Sequence, residues 1–124
     1  MHELSIATEL YRTCRAEVDA RGGGRIEEVT IEVGELTGVE PALLEYAWEA
    51  VVAGGPDAGA SLELRWCPAE QLCPQCGPVP ERQPGSWLRL CPRCDAPLVI
   101  HGGEQLDIRG IGFSPVAREQ EVLT

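Results

Sequence analysis

Two short cysteine hairpins constrain this chain more than any other feature. Cys73-Pro74-Gln75-Cys76-Gly77 and Cys91-Pro92-Arg93-Cys94 are separated by 14 residues between Cys76 and Cys91. Two residues between thiols let one tight turn aim both sulfurs at a single ion, and two such turns supply a closed tetrahedral set of the zinc-ribbon kind. A closed shell leaves no position for a substrate, so zinc held by Cys73, Cys76, Cys91 and Cys94 is expected to be structural. Gly77 allows the positive φ that follows such a turn, and Asp95 can take the equivalent place in the second hairpin. The competing uses of the four thiols are a pair of disulfides and a rubredoxin-like iron centre. The spacing and the redox setting argue against the first, and the absence of the aromatic packing that such a centre normally has argues against the second.

The redox setting follows from the start of the chain. Residues 1–20 have neither a cationic beginning nor the apolar run of about 7–15 residues that a secretory signal needs. No stretch reaches the roughly 18 apolar residues of a membrane span. A cytoplasmic protein is therefore expected, with no membrane partner and with thiols that stay reduced. The net charge is −10 and its distribution is uneven: residues 1–66 carry 13 acidic and 5 basic side chains, whereas residues 67–103 carry three of each. Phosphate backbones attract basic stripes, so nucleic acid is excluded as a partner. All ten basic residues are arginine. With no lysine, the α-amine of Met1 is the only primary amine.

The remaining sequence reads as a small α+β body around an inserted lobe. Leu4, Ala7, Tyr11, Cys14 and Val18 recur at helical spacing until Gly22-Gly23-Gly24. Val29, Ile31 and Val33 alternate with polar residues as a half-buried strand stopping near Gly34. Glu40-Pro41 opens a second helix, with Leu43, Leu44, Ala47, Val51 and Val52 as its apolar face. Gly54-Gly55-Pro56 breaks it, and Leu62, Leu64 and Trp66 mark a second strand. Residues 67–103 hold seven of the ten prolines and show no helical period. Leu106–Arg109 returns as a third strand, because three strands make a more stable layer than two. Two helices are thus expected on a small mixed three-stranded sheet, with residues 1–66 and 104–124 forming the body and residues 67–103 the zinc lobe. The polar tail after Phe113 is expected to be loose.

Cys14, Cys67 and His101 lie outside the hairpins. Cys14 falls on the apolar stripe of the first helix and is expected to be a buried thiol. Cys67 reads as a strand-end thiol, although it could replace a ligand. His101 could ligate only by displacing a hairpin thiolate. No catalytic triad, paired carboxylates or glycine-rich phosphate loop is present, so neither an enzyme nor a nucleotidase is expected, and any nucleotide energy must come from a partner.

Met1-His2-Glu3-Leu4-Ser5, Val33-Gly34-Glu35-Leu36, the two hairpins and Gly103-Glu104-Gln105-Leu106-Asp107-Ile108 together resemble the HypA/HybF family across residues 1–110. The resemblance implies a nickel metallochaperone for maturation of nickel-iron hydrogenases, working with a HypB-type GTPase and a hydrogenase large-subunit precursor. It implies Ni(II) as transient cargo at Met1, His2 and Glu3, with Glu40 as a further acidic donor, and structural Zn(II) on the four hairpin cysteines. Two departures stand out: Cys67 occupies a place where an apolar residue is more usual, and Asp95 replaces a common glycine. Nickel chemistry supports such an N-terminal site, since Ni(II) favours planar nitrogen donors and a chain end offers an amine, an imidazole and backbone amides in consecutive chelate rings. Glu40 also has a plain role as a helix-start acid. The rival reading, from the hairpins alone, is a zinc-ribbon protein-interaction adaptor without nickel.

Overall fold

A computed structural model describes residues 2–83 and 85–116. Helix α1 (His2–Ala20) buries Ala7, Leu10, Cys14 and Val18, one stripe at three- and four-residue steps. It ends in a Schellman motif: the Gly23 amide donates to the Val18 carbonyl and the Gly22 amide to the Asp19 carbonyl, with both glycines at positive φ. The chain then enters β1 (Gly24–Gly34), the centre of a mixed sheet. Strand β2 (Ser61–Cys67) runs parallel to it and β6 (Leu106–Pro115) antiparallel.

Helix α2 (Pro41–Val52) forms the crossover between β1 and β2, with Pro41 in its first turn. Its buried face is Leu44, Ala47, Trp48 and Val52. Leu43, expected to face the core, is 53% exposed, whereas Trp48 is 1% exposed. The indole N–H explains the exchange by donating to the Ala60 carbonyl at 2.9 Å, so a large ring can be buried without orphaning its polar atom. Leu4 likewise lies at the open end of the α1 stripe and is exposed.

Ile26, Val29, Ile31 and Val33 of β1 meet both helices in one core. Ile26 and Val29 share a face although they are an odd number apart. The register shift between Ile26 and Glu28 against β6 accounts for this, since a bulged residue reverses the alternation. Fully buried Asp57 ties the connection before β2 to the rest of the body. Its carboxylate accepts from the Tyr11 hydroxyl (2.5 Å), the Arg15 guanidinium (2.7 Å) and the Ile26 amide (2.8 Å).

Beyond Cys67 the chain builds a second sheet: β3 (Glu70–Cys73), β4 (Gly77–Pro78) and β5 (Val99–His101), in the order β4-β3-β5 and wholly antiparallel. The lobe has its own core of Cys73, Val79 and Cys91, packed by Leu88, Ala96 and Leu98. Gln71, buried on β3, grips the later loop by exchanging hydrogen bonds with the backbone of Leu88. The body strand expected at Leu106–Arg109 extends through Pro115, and the tail residues 117–124 lie outside the described residues.

Candidate metal centre

The two cysteine turns are near copies of each other. The Gln75 amide points at the Cys73 sulfur and the Arg93 amide at the Cys91 sulfur, each at 3.4 Å. Gly77 and Asp95 both hold positive φ, 85° and 62°, as the residue after such a turn requires. Asp95 is the only non-glycine residue in that conformation among those described; its short side chain lowers the steric cost. Strand β3 delivers Cys73, and the Leu90 to Pro97 bridge closes the turn that carries Cys91 and Cys94.

All four sulfurs lie within 4.8 Å of one another, with Cys73 and Cys94 3.4 Å apart. A tetrahedron with zinc–sulfur bonds of about 2.3 Å has edges of about 3.8 Å, so the set matches a single ion in size. Cys73 and Cys91 sit inside the lobe while Cys76 and Cys94 face outward. Burial would raise the Cys73 thiol, but the amides of Cys76 and Gln75 and the neighbouring thiols stabilise its anion and bring it down to about 7. At Cys94 the Ala96 amide favours the thiolate, yet its sulfur neighbours outweigh it and push the thiol up to about 12. One thiolate forms readily and its charge holds back the next, so only a cation lets the cluster ionise fully. An all-sulfur tetrahedral donor set suits Zn(II).

Cys14, Cys67 and His101 stand apart. Cys14 is sealed in the body, where burial raises its thiol to about 11. Cys67 ends β2, and His101 pairs with Glu70 at the mouth of the lobe. Among the described residues only the four hairpin cysteines converge as a cluster of three or more metal-binding groups.

At the start of the chain, α1 brings Glu3 to the start of α2. Its Oε2 accepts the Glu40 amide at 3.1 Å and lies 3.9 Å from His2 Nδ1. The His2 side chain is 60% exposed and that of Glu3 13%. The Glu40 amide, above all, holds the Glu3 carboxyl below its ordinary range. Met1 lies outside the described residues. The sequence reading missed Glu35 and Arg82, which join body to lobe across 47 positions, and no local pattern marks them.

Fold and site define a class: a small α+β metal-binding protein whose four-thiolate centre sits in a lobe inserted between strands of the body. Residues 1–113 match the HypA family of hydrogenase/urease nickel incorporation metallochaperones, and the chain belongs to that family. Among its relatives, hydrogenase maturation factor HypA of Deinococcus radiodurans is 39% identical over 109 residues, covering 87% of this chain and 89% of that protein. The Geobacter sulfurreducens factor of the same name is 35% identical over 111 residues, covering 88% and 96%. The fold is shared with the solution structure of a HypA protein (TM-score 0.62, 20% identity, 92% of this chain and 97% of that one). The nickel metallochaperone HypA from Helicobacter pylori has it too (TM-score 0.56, 19% identity, 91% and 97%).

Proposed function

We propose that this chain carries Ni(II) for insertion into a nickel-iron hydrogenase large-subunit precursor, using Met1, His2 and Glu3 with Glu40 alongside. In this reading Cys73, Cys76, Cys91 and Cys94 hold one zinc ion. The observation that carries it is the junction at the chain's start, where Glu3 is fixed to the Glu40 amide beside an exposed His2. An ordered carboxylate next to a free imidazole gives nickel a partly assembled donor set, and the exposed position leaves it a way out. Residues 1–66 and 104–124 act as the nickel-carrying body and residues 67–103 as the zinc lobe. Bound zinc contributes folding energy to the lobe and no chemistry on the cargo.

The cargo is handed on without covalent change, so the chain works as a carrier and not as an enzyme. The sequence has no phosphate-binding glycine loop, and nucleotide-driven steps fall to a HypB-type GTPase. The setting is the cytoplasm; no helix among the described residues is long and apolar enough to cross a membrane. Calorimetric nickel titration of untagged protein tests the reading. One nickel per chain is expected, lost in His2→Ala with zinc content unchanged. Unaltered nickel affinity in His2→Ala would refute the site, and a wild-type protein with no stoichiometric nickel would leave a zinc-ribbon adaptor.

A further inference from the structure

Body and lobe meet at a narrow neck. Their sheets do not pair with each other, and the chain crosses only at residues 67–69 and 102–105. There the backbone is pressed close: the Leu36 amide donates to the Gly103 carbonyl and the Gly34 amide to that of Gln105. A Cβ on Gly103 would fall 2.6 Å from that of Ala69. Two adjacent crossings make a hinge, and a hinge leaves the lobe free to rotate unless something off its axis holds it.

Glu35 provides such a hold. It opens the short 3-10 turn that follows β1 (Glu35–Thr37), yet among the described residues every hydrogen-bond partner of its carboxylate belongs to the lobe. Oε1 accepts from Arg82 Nη2 at 2.7 Å and the Ala69 amide at 3.0 Å; Oε2 accepts from Arg82 Nη1 at 3.1 Å and the Gly85 amide at 3.2 Å. Arg82 is fixed in turn, donating to the carbonyls of Ala69 and Ser86 and lying 4.0 Å over the Trp87 ring. The two side chains are only 10% and 11% exposed. Among the described ion pairs it is the only one that joins the two parts. A bidentate guanidinium–carboxylate pair fixes direction as well as distance, unlike a solvated surface pair.

We propose that Glu35 and Arg82 form a latch that sets the orientation of the cysteine lobe on the body. The latch also sets the width of the cleft beside it, about 680 Å³, whose walls include Val39, Glu40 and Trp66 from the body and Pro78, Pro80 and Arg82 from the lobe. Because Glu40 follows the 3-10 turn closely, the latch determines how far the lobe stands from the start of α2. The latch depends only on the contacts of Glu35 and Arg82 and holds whether or not the chain carries nickel.

Residual dipolar couplings on the zinc-loaded full chain test it. Amides of α1 and β1 and amides of β3 and β5 should report one alignment tensor in the unaltered protein. In Arg82→Gln and in Glu35→Gln, with zinc content and helical signal unchanged, the lobe's tensor should depart from that of the body and fall to about half its magnitude or less. The Ala69 and Gly85 amides should exchange roughly tenfold faster or more. Coincident tensors in both zinc-replete variants would overturn the latch. So would loss of zinc from either variant, since the pair would then be holding the lobe together instead of aiming it. Random-coil exchange at Ala69 and Gly85 in the unaltered protein would overturn it without any substitution.

Discussion

Asp57 has much to lose by substitution, because three polar groups, two on α1 and one on β1, are satisfied on its carboxylate. Burial alone would raise its carboxyl, but the Tyr11 hydroxyl, the Ile26 amide and Arg15 outweigh burial and hold it below the ordinary aspartate range. Its contribution to stability is complete above the unfolded value near about 4 and is lost as pH falls through the lower folded value. Asp57→Asn removes the charge that Arg15 faces and should cost about 3 kcal/mol in urea unfolding at neutral pH. Its stability should also lose part of the wild-type dependence on acid; an equally steep acid loss would assign that dependence elsewhere. Asp95 presents the opposite case. A side chain at φ 62° costs little for aspartate but less still for glycine, so Asp95→Gly should stabilise the zinc-loaded lobe by about 0.5 kcal/mol. A lower melting temperature for that variant would show that the carboxylate has a favourable partner.

Among the elements, the cysteine lobe has a core separate from that of the body, which predicts separable unfolding. Cys73→Ser or Cys91→Ser should empty the lobe of zinc while the far-ultraviolet signal of α1 and α2 survives. Full zinc occupancy by metal analysis would sink the ligand assignment, and loss of all helical signal would mean that the two parts fold as one. The second sheet and its core fall within the segment that proline density and hairpin spacing set apart in the sequence. The three body strands were legible too, through Val29, Ile31 and Val33, Leu62 to Trp66, and Leu106 onward. The first half of β1 was hidden because the bulge at Glu27 breaks the period of two on which such reading depends. Strands β3 to β5 were hidden by their shortness, four residues at most. Trp48 was passed over in favour of Leu43 because its burial depends on a carbonyl 12 residues away. The cluster of four sulfurs could be read from local spacing, whereas the Glu35–Arg82 pair arises only once the two parts meet.

Taken as a whole, the molecule has two proposed metal sites that differ in what protons do to them, and this allows them to be separated without mutation. An α-amine and an imidazole bind nickel only after losing a proton, so nickel uptake should weaken as pH falls from about 8 toward about 6. The thiolate set should keep its zinc over that range, since the closed shell of four sulfurs has already exchanged its protons for the ion. The absence of lysine sharpens the contrast. An amine-specific acylating reagent can modify only the amine of Met1, which removes one proposed donor and leaves every side chain intact. Acetylated protein, verified by mass spectrometry, should therefore retain one zinc per chain, an unchanged helical signal and an unchanged orientation of lobe on body, while losing its nickel. An affinity tag ahead of Met1 should have the same effect. Equal nickel affinity before and after acetylation at neutral pH would exclude the amine as a ligand. His2, Glu3 and Glu40 would then have to hold the cargo by side chains alone, and the pH profile should flatten above the range in which imidazole titrates.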